Sequence, residues 1–175
     1  MSRPFKVKKG KVIAQLSGGE RRVLEMVCQE VTGRLTDQPA DPEVPQWARE
    51  LGLSGVGESR PAPEDPVVAR LLPDAYQDPQ QAAEFRGLTE AGLRATKLAH
   101  IEVVRAHLHN DPIVITGQTR AWLAFLADAR LMLGTLLDIS EDDPLEPRGE
   151  PQYDLYLYLG YLQQSLVEEL LGHRS

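Results

Sequence analysis

A chain of 175 residues with 42% hydrophobic side chains and a net charge of -7 carries apolar material for one core, so a single domain spanning 1–175 is expected. No apolar run approaches the roughly 20 residues that cross a bilayer, and no apolar signal core comes after "MSRPFKVKK", which points to a cytoplasmic protein. The single cysteine excludes an internal disulfide, and the overall acidity opposes binding to a polyanion wherever positive charge is not concentrated.

Positive charge is concentrated at the start. Residues 1 to 35 carry eight Lys/Arg against three Glu, a net of +5, while residues 36 to 66 carry -5 and residues 137 to 154 carry -6. In "FKVKKGKVIAQL" the apolar residues Phe5, Val7, Val12, Ala14 and Leu16 alternate with polar ones on either side of Gly10, the period of two expected of a half-buried β-hairpin. Ser17 then precedes Glu20 by three residues, the spacing of a capping box, and predicts a helix from about Gly18 to Leu35. Its positions Leu24, Val27, Cys28, Val31 and Leu35 share one face, where a free cysteine behaves as a small hydrophobe. Glu25 and Glu30 are the charges nearest Cys28 and give no stabilisation to a thiolate, yet as the lone thiol it is the one redox candidate. Lys6, Lys8, Lys9 and Lys11, with Arg3, Arg21 and Arg22, are candidates to contact an acidic partner or phosphates. Lysines on a short edge strand also serve to block strand-to-strand aggregation.

Residues 36 to 66 hold six of the 13 prolines and seven acids, a composition that suits an acidic loop insert. Trp47, with Val44, Leu51 and Leu53 around it, is expected to pin its middle through a short helical turn. A short helix should begin at Asp65-Pro66 and stop before Pro73, another should cover "PQQAAEFR", and a long one should run through "LTEAGLRATKLAHIEVVRAHLHN" on an apolar face of Leu93, Leu98, Ile101, Val104 and Leu108. Residues 112 to 116 read as a third strand leading into a helix, the same layout in which Ala14 to Ser17 lead into the first helix. A final helix, "QYDLYLYLGYLQQSLVEELL", carries Leu155, Leu159, Leu162, Leu166 and Leu170 on one stripe after an acidic loop. The fold class is therefore mainly α: a helical domain with a small N-terminal antiparallel hairpin, extended by a short strand near 112–116.

Sites for chemistry are sparse. His100, His107, His109 and Asp111 lie near one another in sequence but complete no metal-ligand spacing and read as helix-end histidines, so no metal or cofactor is expected. No nucleophile elbow, phosphate-binding glycine loop or His-Glu metalloprotease helix is present. Tyr153, Tyr156, Tyr158 and Tyr161 are set among acids and read as packing or interface residues. From Ala121 to Leu137 the charges are Asp128 and Arg130, in a helix apolar nearly all round; two residues apart they face away from each other, so each needs a partner elsewhere. Asp74 and Glu84 are the expected partners of Arg130, and Arg86 that of Asp128.

The blocks "LLPDAY", "AAEFRGLTEAGLRATK", "WLAFLADARLMLG" and "YLGYLQQSLVEEL", with the hairpin and first helix before them, resemble the AosR-like actinobacterial family, a domain of unknown function that includes oxidative-stress response regulators. The insert lies outside the resemblance. It implies a cytoplasmic regulator of transcription that responds to oxidants and acts through a sigma factor, near genes of cysteine metabolism. The redox-responsive form of the family has two cysteines four residues apart. Here Leu24 and Thr32 stand four residues either side of Cys28, so that motif is absent. The expected function is a non-enzymatic regulator or protein-interaction module whose hairpin and first helix meet a protein partner, with DNA as a weaker candidate. A structural adaptor binding through the last helix, or an enzyme with a cleft near Asp128 and Arg130, are the alternatives. The sequence leaves the oligomeric state open.

Overall fold

The computed structural model describes residues 3–36, 47, 51 and 60–173. Strands β1 (Phe5–Lys8) and β2 (Lys11–Ala14) form the expected hairpin. Its two-residue turn has Lys9 at φ 51 and Gly10 at φ 76, the left-handed pair whose twist matches that of the flanking strands. Helix α1 (Gly18–Thr36) starts on a complete capping box: the Ser17 N-H donates to Glu20 Oε2 at 2.6 Å and the Glu20 N-H donates to Ser17 Oγ at 3.2 Å. Helix α2 (Pro66–Leu71) begins on Asp65, whose carboxylate accepts from the Val67 N-H, with Pro66 in the first turn where its missing N-H costs nothing.

Helix α3 (Pro79–Leu108) corrects an expectation. The two helices foreseen over 79–110 are one continuous helix of 30 residues, capped by Asp78. Gly87, the apparent break, is a buried interior residue of that helix. A glycine there costs only about 1 kcal/mol relative to alanine, and the buried neighbours Arg86, Glu90 and Arg94 anchor both sides of it. Strand β3 (Ile113–Ile115) adds antiparallel to β2, giving a three-stranded sheet in the order β1-β2-β3. Helices α4 (Thr119–Leu136) and α5 (Pro151–Gly172) complete the chain. The layout strand, short link, helix does recur in β2-α1 and β3-α4, but Gln118 provides no side-chain cap where Ser17 does.

Helix α4 lies at the centre and touches α1, α2, α3 and α5, which is why it is apolar on most sides. The core runs from Phe5 and Trp122, whose rings meet edge to face at 5.9 Å, through Leu24, Cys28, Ile101 and Phe125 to Leu159, Leu162 and Leu166. All five residues expected on the buried face of α1 are buried. On α3, Ile101, Val104 and Leu108 are buried and Leu98 packs at the margin. Leu93 is exposed because at that level the helix turns a charged face inward, where Arg94 meets the end of α1 and Arg86 the residue after α2. The register places Phe5 and Val7 with Val12, Ala14, Ile113 and Ile115 on the inner face, and Lys6, Ile13 and Val114 in one row on the outer face. In the insert, the Trp47 carbonyl accepts from the Leu51 N-H with both side chains exposed; Val44 and Leu53 lie outside the described residues.

Candidate functional site

The alternation that builds the hairpin also decides where its charges go. Lys8 and Lys11 are directly opposed across the two strands, Lys9 occupies the turn, and all three are exposed; Lys6 is half-buried. None of the four pairs with a carboxylate among the described residues. Opposed like charges weaken a strand pair, so this cluster is a cost to the hairpin. Arg22 is exposed beside it in sequence. Arg21, expected with this group, is instead structural: its guanidinium donates to the carbonyls of Leu16 at 3.2 Å and Asn110 at 2.6 Å and pairs with Asp111, tying the start of α1 to the link before β3. Arg3 pairs with Glu169 of α5.

The outer edge of β1 is already occupied. Glu169 Oε2 accepts from the Val7 N-H at 3.2 Å; burial opposes ionisation of this carboxyl, but hydrogen bonds from the Val7 amide and Arg3, with the nearby charge of His173, outweigh it and hold the carboxyl below the ordinary range. A second carboxyl is held low in the same way: burial opposes ionisation of Glu20, but the Ser17 N-H and the Tyr158 hydroxyl, which donates at 2.8 Å, overcome it.

Cys28 has no exposed surface. Burial, and then the negative charge of Glu25, push its thiol up to about 12, so it is a thiol and not a thiolate at any physiological pH.

The charge partners differ from those expected. Lys97, not Arg86, meets Asp128, at 2.7 Å. Arg86 is engaged three turns earlier on α3, by Asp74 and by the Leu72 carbonyl at 2.9 Å. Glu84 is exposed and near Gln80, far from any role with Arg130. The Arg130 side chain, from α4, packs against α5 instead: it stacks over the Tyr156 ring at 5.1 Å from the centroid, donates to Gln163 Oε1 at 3.1 Å, and has no carboxylate partner among the described residues. It fits because residue 160 is glycine; a Cβ there would stand 3.2 Å from Arg130 Nε. Asp128 and Arg130 therefore face different helices and share no cleft.

A ladder of charge on α3 is present in the sequence, where Arg86 alone of its members stands out. Arg86, Glu90, Arg94 and Lys97 are spaced four, four and three apart, so they form one face, on which the first three are buried and Lys97 is half-buried. Arg94 pairs with Glu90 at 3.0 Å and donates to the Leu35 carbonyl at 2.6 Å; Glu90 also pairs with Arg60 at 3.2 Å, and the Arg60 N-H donates to the Ala83 carbonyl. Leu35 at the end of α1 and Arg60 are thus fixed to one stretch of α3. The i, i+4, i+8 spacing was the signal for it, but that spacing reads equally as a solvated face.

His107 is the other displaced residue. Expected as a helix-end histidine, it is in the last turn of α3 but buried, accepting from Trp122 Nε1. Among the described residues no three His, Cys, Asp or Glu side chains gather as metal ligands, and no helix is long and apolar enough to cross a membrane. Between α4, α5 and the acidic link lies an open groove of about 660 Å³ lined by Arg130, Leu145, Leu157, Tyr161 and Val167.

A family model, the domain of unknown function DUF2017, matches residues 2–170. The "Oxidative stress regulator AosR" of Mycobacterium tuberculosis H37Rv is 26% identical over 182 residues, covering 92% of this chain and 83% of that protein. The "Putative oxidative stress regulator AosR" of Mycobacterium leprae is 32% identical over 174 residues, covering 87% and 79%. No solved structure matches.

Proposed function

The chain belongs to the DUF2017 family, and on that footing we propose that it is a non-catalytic cytoplasmic regulator of the oxidative-stress response that acts by protein contact through its basic hairpin, not by thiol chemistry. The partner proposed is an acidic surface of the transcription machinery, with a sigma factor as the candidate. One observation carries the reading: Lys8 and Lys11 are held opposite each other, with Lys9 between them and no carboxylate among the described residues to neutralise any of them. Protection of the sheet edge is shared with Glu169, which takes the Val7 N-H there, and Lys11 belongs to the central strand. An acidic partner would turn an unfavourable pair into a favourable contact and would steer association from a distance. The thiol supports the reading from the other side, being buried and without a second cysteine to join. DNA is the weaker partner, because the basic patch is small and the molecule around it is acidic.

The test is binding of the purified protein to sigma factors and RNA polymerase from its own organism, by biolayer interferometry, against the triple variant Lys8→Glu, Lys9→Glu, Lys11→Glu. The wild type should bind with an affinity that falls as salt rises, and the variant should lose at least about tenfold. Equal binding by both would remove the hairpin as the contact surface, and a preference for random duplex DNA over every protein would replace the proposed partner.

A further inference from the structure

The outward face of α5 has an internal symmetry. The face turned away from the core carries residues 157, 160, 161, 164, 167, 168 and 171, spaced three and four apart as in a helix-packing stripe. Tyr161, Val167 and Leu171 on it are 47%, 37% and 59% exposed, apolar surface open to a partner. The stripe is symmetric about Gln164. Leu157 and Leu171 are each seven residues from it, Tyr161 and Val167 are each three, and Gly160 and Glu168 are each four.

Charge has the same symmetry. Arg130 lies across α5 at Gly160, where the absence of a Cβ lets the guanidinium approach the backbone, so the cation occupies the position that mirrors Glu168. Among the described residues Arg130 meets no carboxylate and Glu168 meets no cation, the Glu168 carboxylate accepting instead from the Gln164 amide at 2.9 Å. Two opposite charges without counter-ions, placed equally far on either side of one residue, are what an isologous two-fold contact requires, because each then meets the other on the second copy. We infer that two copies of this chain associate through antiparallel packing of their α5 helices about Gln164, with Arg130 of each paired to Glu168 of the other. In that packing Leu157 meets Leu171 and Tyr161 meets Val167 over a helix length of about 21 Å. An unrelated helix would need both an acid and a base at the mirrored positions, whereas this chain already supplies them.

Sedimentation velocity on the full chain over a range of concentrations tests the inference. The expected result is a reversible step from 19.4 kDa to twice that mass. Tyr161→Glu with Val167→Glu, both at exposed positions, should raise the dissociation constant at least about tenfold, and Glu168→Arg alone should also weaken the dimer. Adding Arg130→Glu to Glu168→Arg should restore association to within about threefold of wild type. If Arg130→Glu prevents folding, as a thermal melt would show, the Tyr161/Val167 variant decides. A chain that stays monomeric at all concentrations, or a dimer indifferent to the Tyr161/Val167 variant, overturns the inference.

Discussion

Trp122 Nε1 donates to His107 Nδ1 at 2.9 Å, and the two rings stack at an interplanar angle of 22° inside the junction of α3 and α4. The imidazole is an acceptor at Nδ1, so the bond exists only while that nitrogen is unprotonated. Burial, partly offset by a hydrogen bond to Gln118, holds the His107 pKa below 6.5.

A depressed histidine pKa means that the unfolded chain takes up the proton first. Stability should therefore be complete above pH 6.5 and fall as pH drops toward the folded-state value, with a slope of up to about 1.4 kcal/mol per pH unit from this one group. Urea denaturation between pH 7.5 and 5 measures it. The variant His107→Gln should be less stable at pH 7.5 but flatter over this window, and an unchanged slope would assign the effect to another group.

The Lys97–Asp128 pair joins α3 to α4. Both side chains are mostly buried, at 18% and 12% exposure, so removing one partner leaves a charge without its counter-ion. Lys97→Met should cost about 2 kcal/mol, and the double variant Lys97→Met, Asp128→Leu should cost less than the sum of the two single changes. Strict additivity in that cycle would show that the pair contributes nothing.

Arg94 joins α3 to the end of α1 through the Leu35 carbonyl, and to Arg60 through Glu90. Arg94→Met should therefore lower stability by about 3 kcal/mol and accelerate hydrogen exchange in the last turn of α1, while exchange in α5 changes little. Uniform acceleration in both helices would argue for a global effect.

Lys9 is a non-glycine residue at positive φ, next to Gly10. Asparagine adopts that conformation more readily, so Lys9→Asn should raise stability by about 0.5 kcal/mol, whereas Gly10→Val should lower it by about 1 kcal/mol or more. Thermal melts of the two variants check both signs together.

Cys28 should resist a thiol reagent in the native protein at pH 8 and react fully on denaturation, since its pKa is pushed up to about 12 and it has no exposed surface. Cys28→Ala should cost about 1 kcal/mol from lost packing and leave partner binding unchanged. Rapid labelling of the folded protein would return the thiol to the function.

What the amino-acid sequence determined by itself is a set of elements whose rule is a spacing along the chain. Ser17 and Glu20 form their capping box, Asp65 caps α2, the period of two forms the hairpin, and Leu24, Val27, Cys28, Val31 and Leu35 share a buried face because these patterns depend on spacing alone. Tertiary structure decided which distant charges meet. Asp128 has Lys97 and not Arg86, and Arg130 lies at Gly160, because a charged side chain takes the counter-ion or ring that helix packing brings within a few ångströms. The same holds for Gly87, a local break that the packing of α3 overrides, and for Arg21, whose basic charge reads as surface until the carbonyls it ties together are seen. Spacing is written along the chain, while adjacency between helices arises only when they pack.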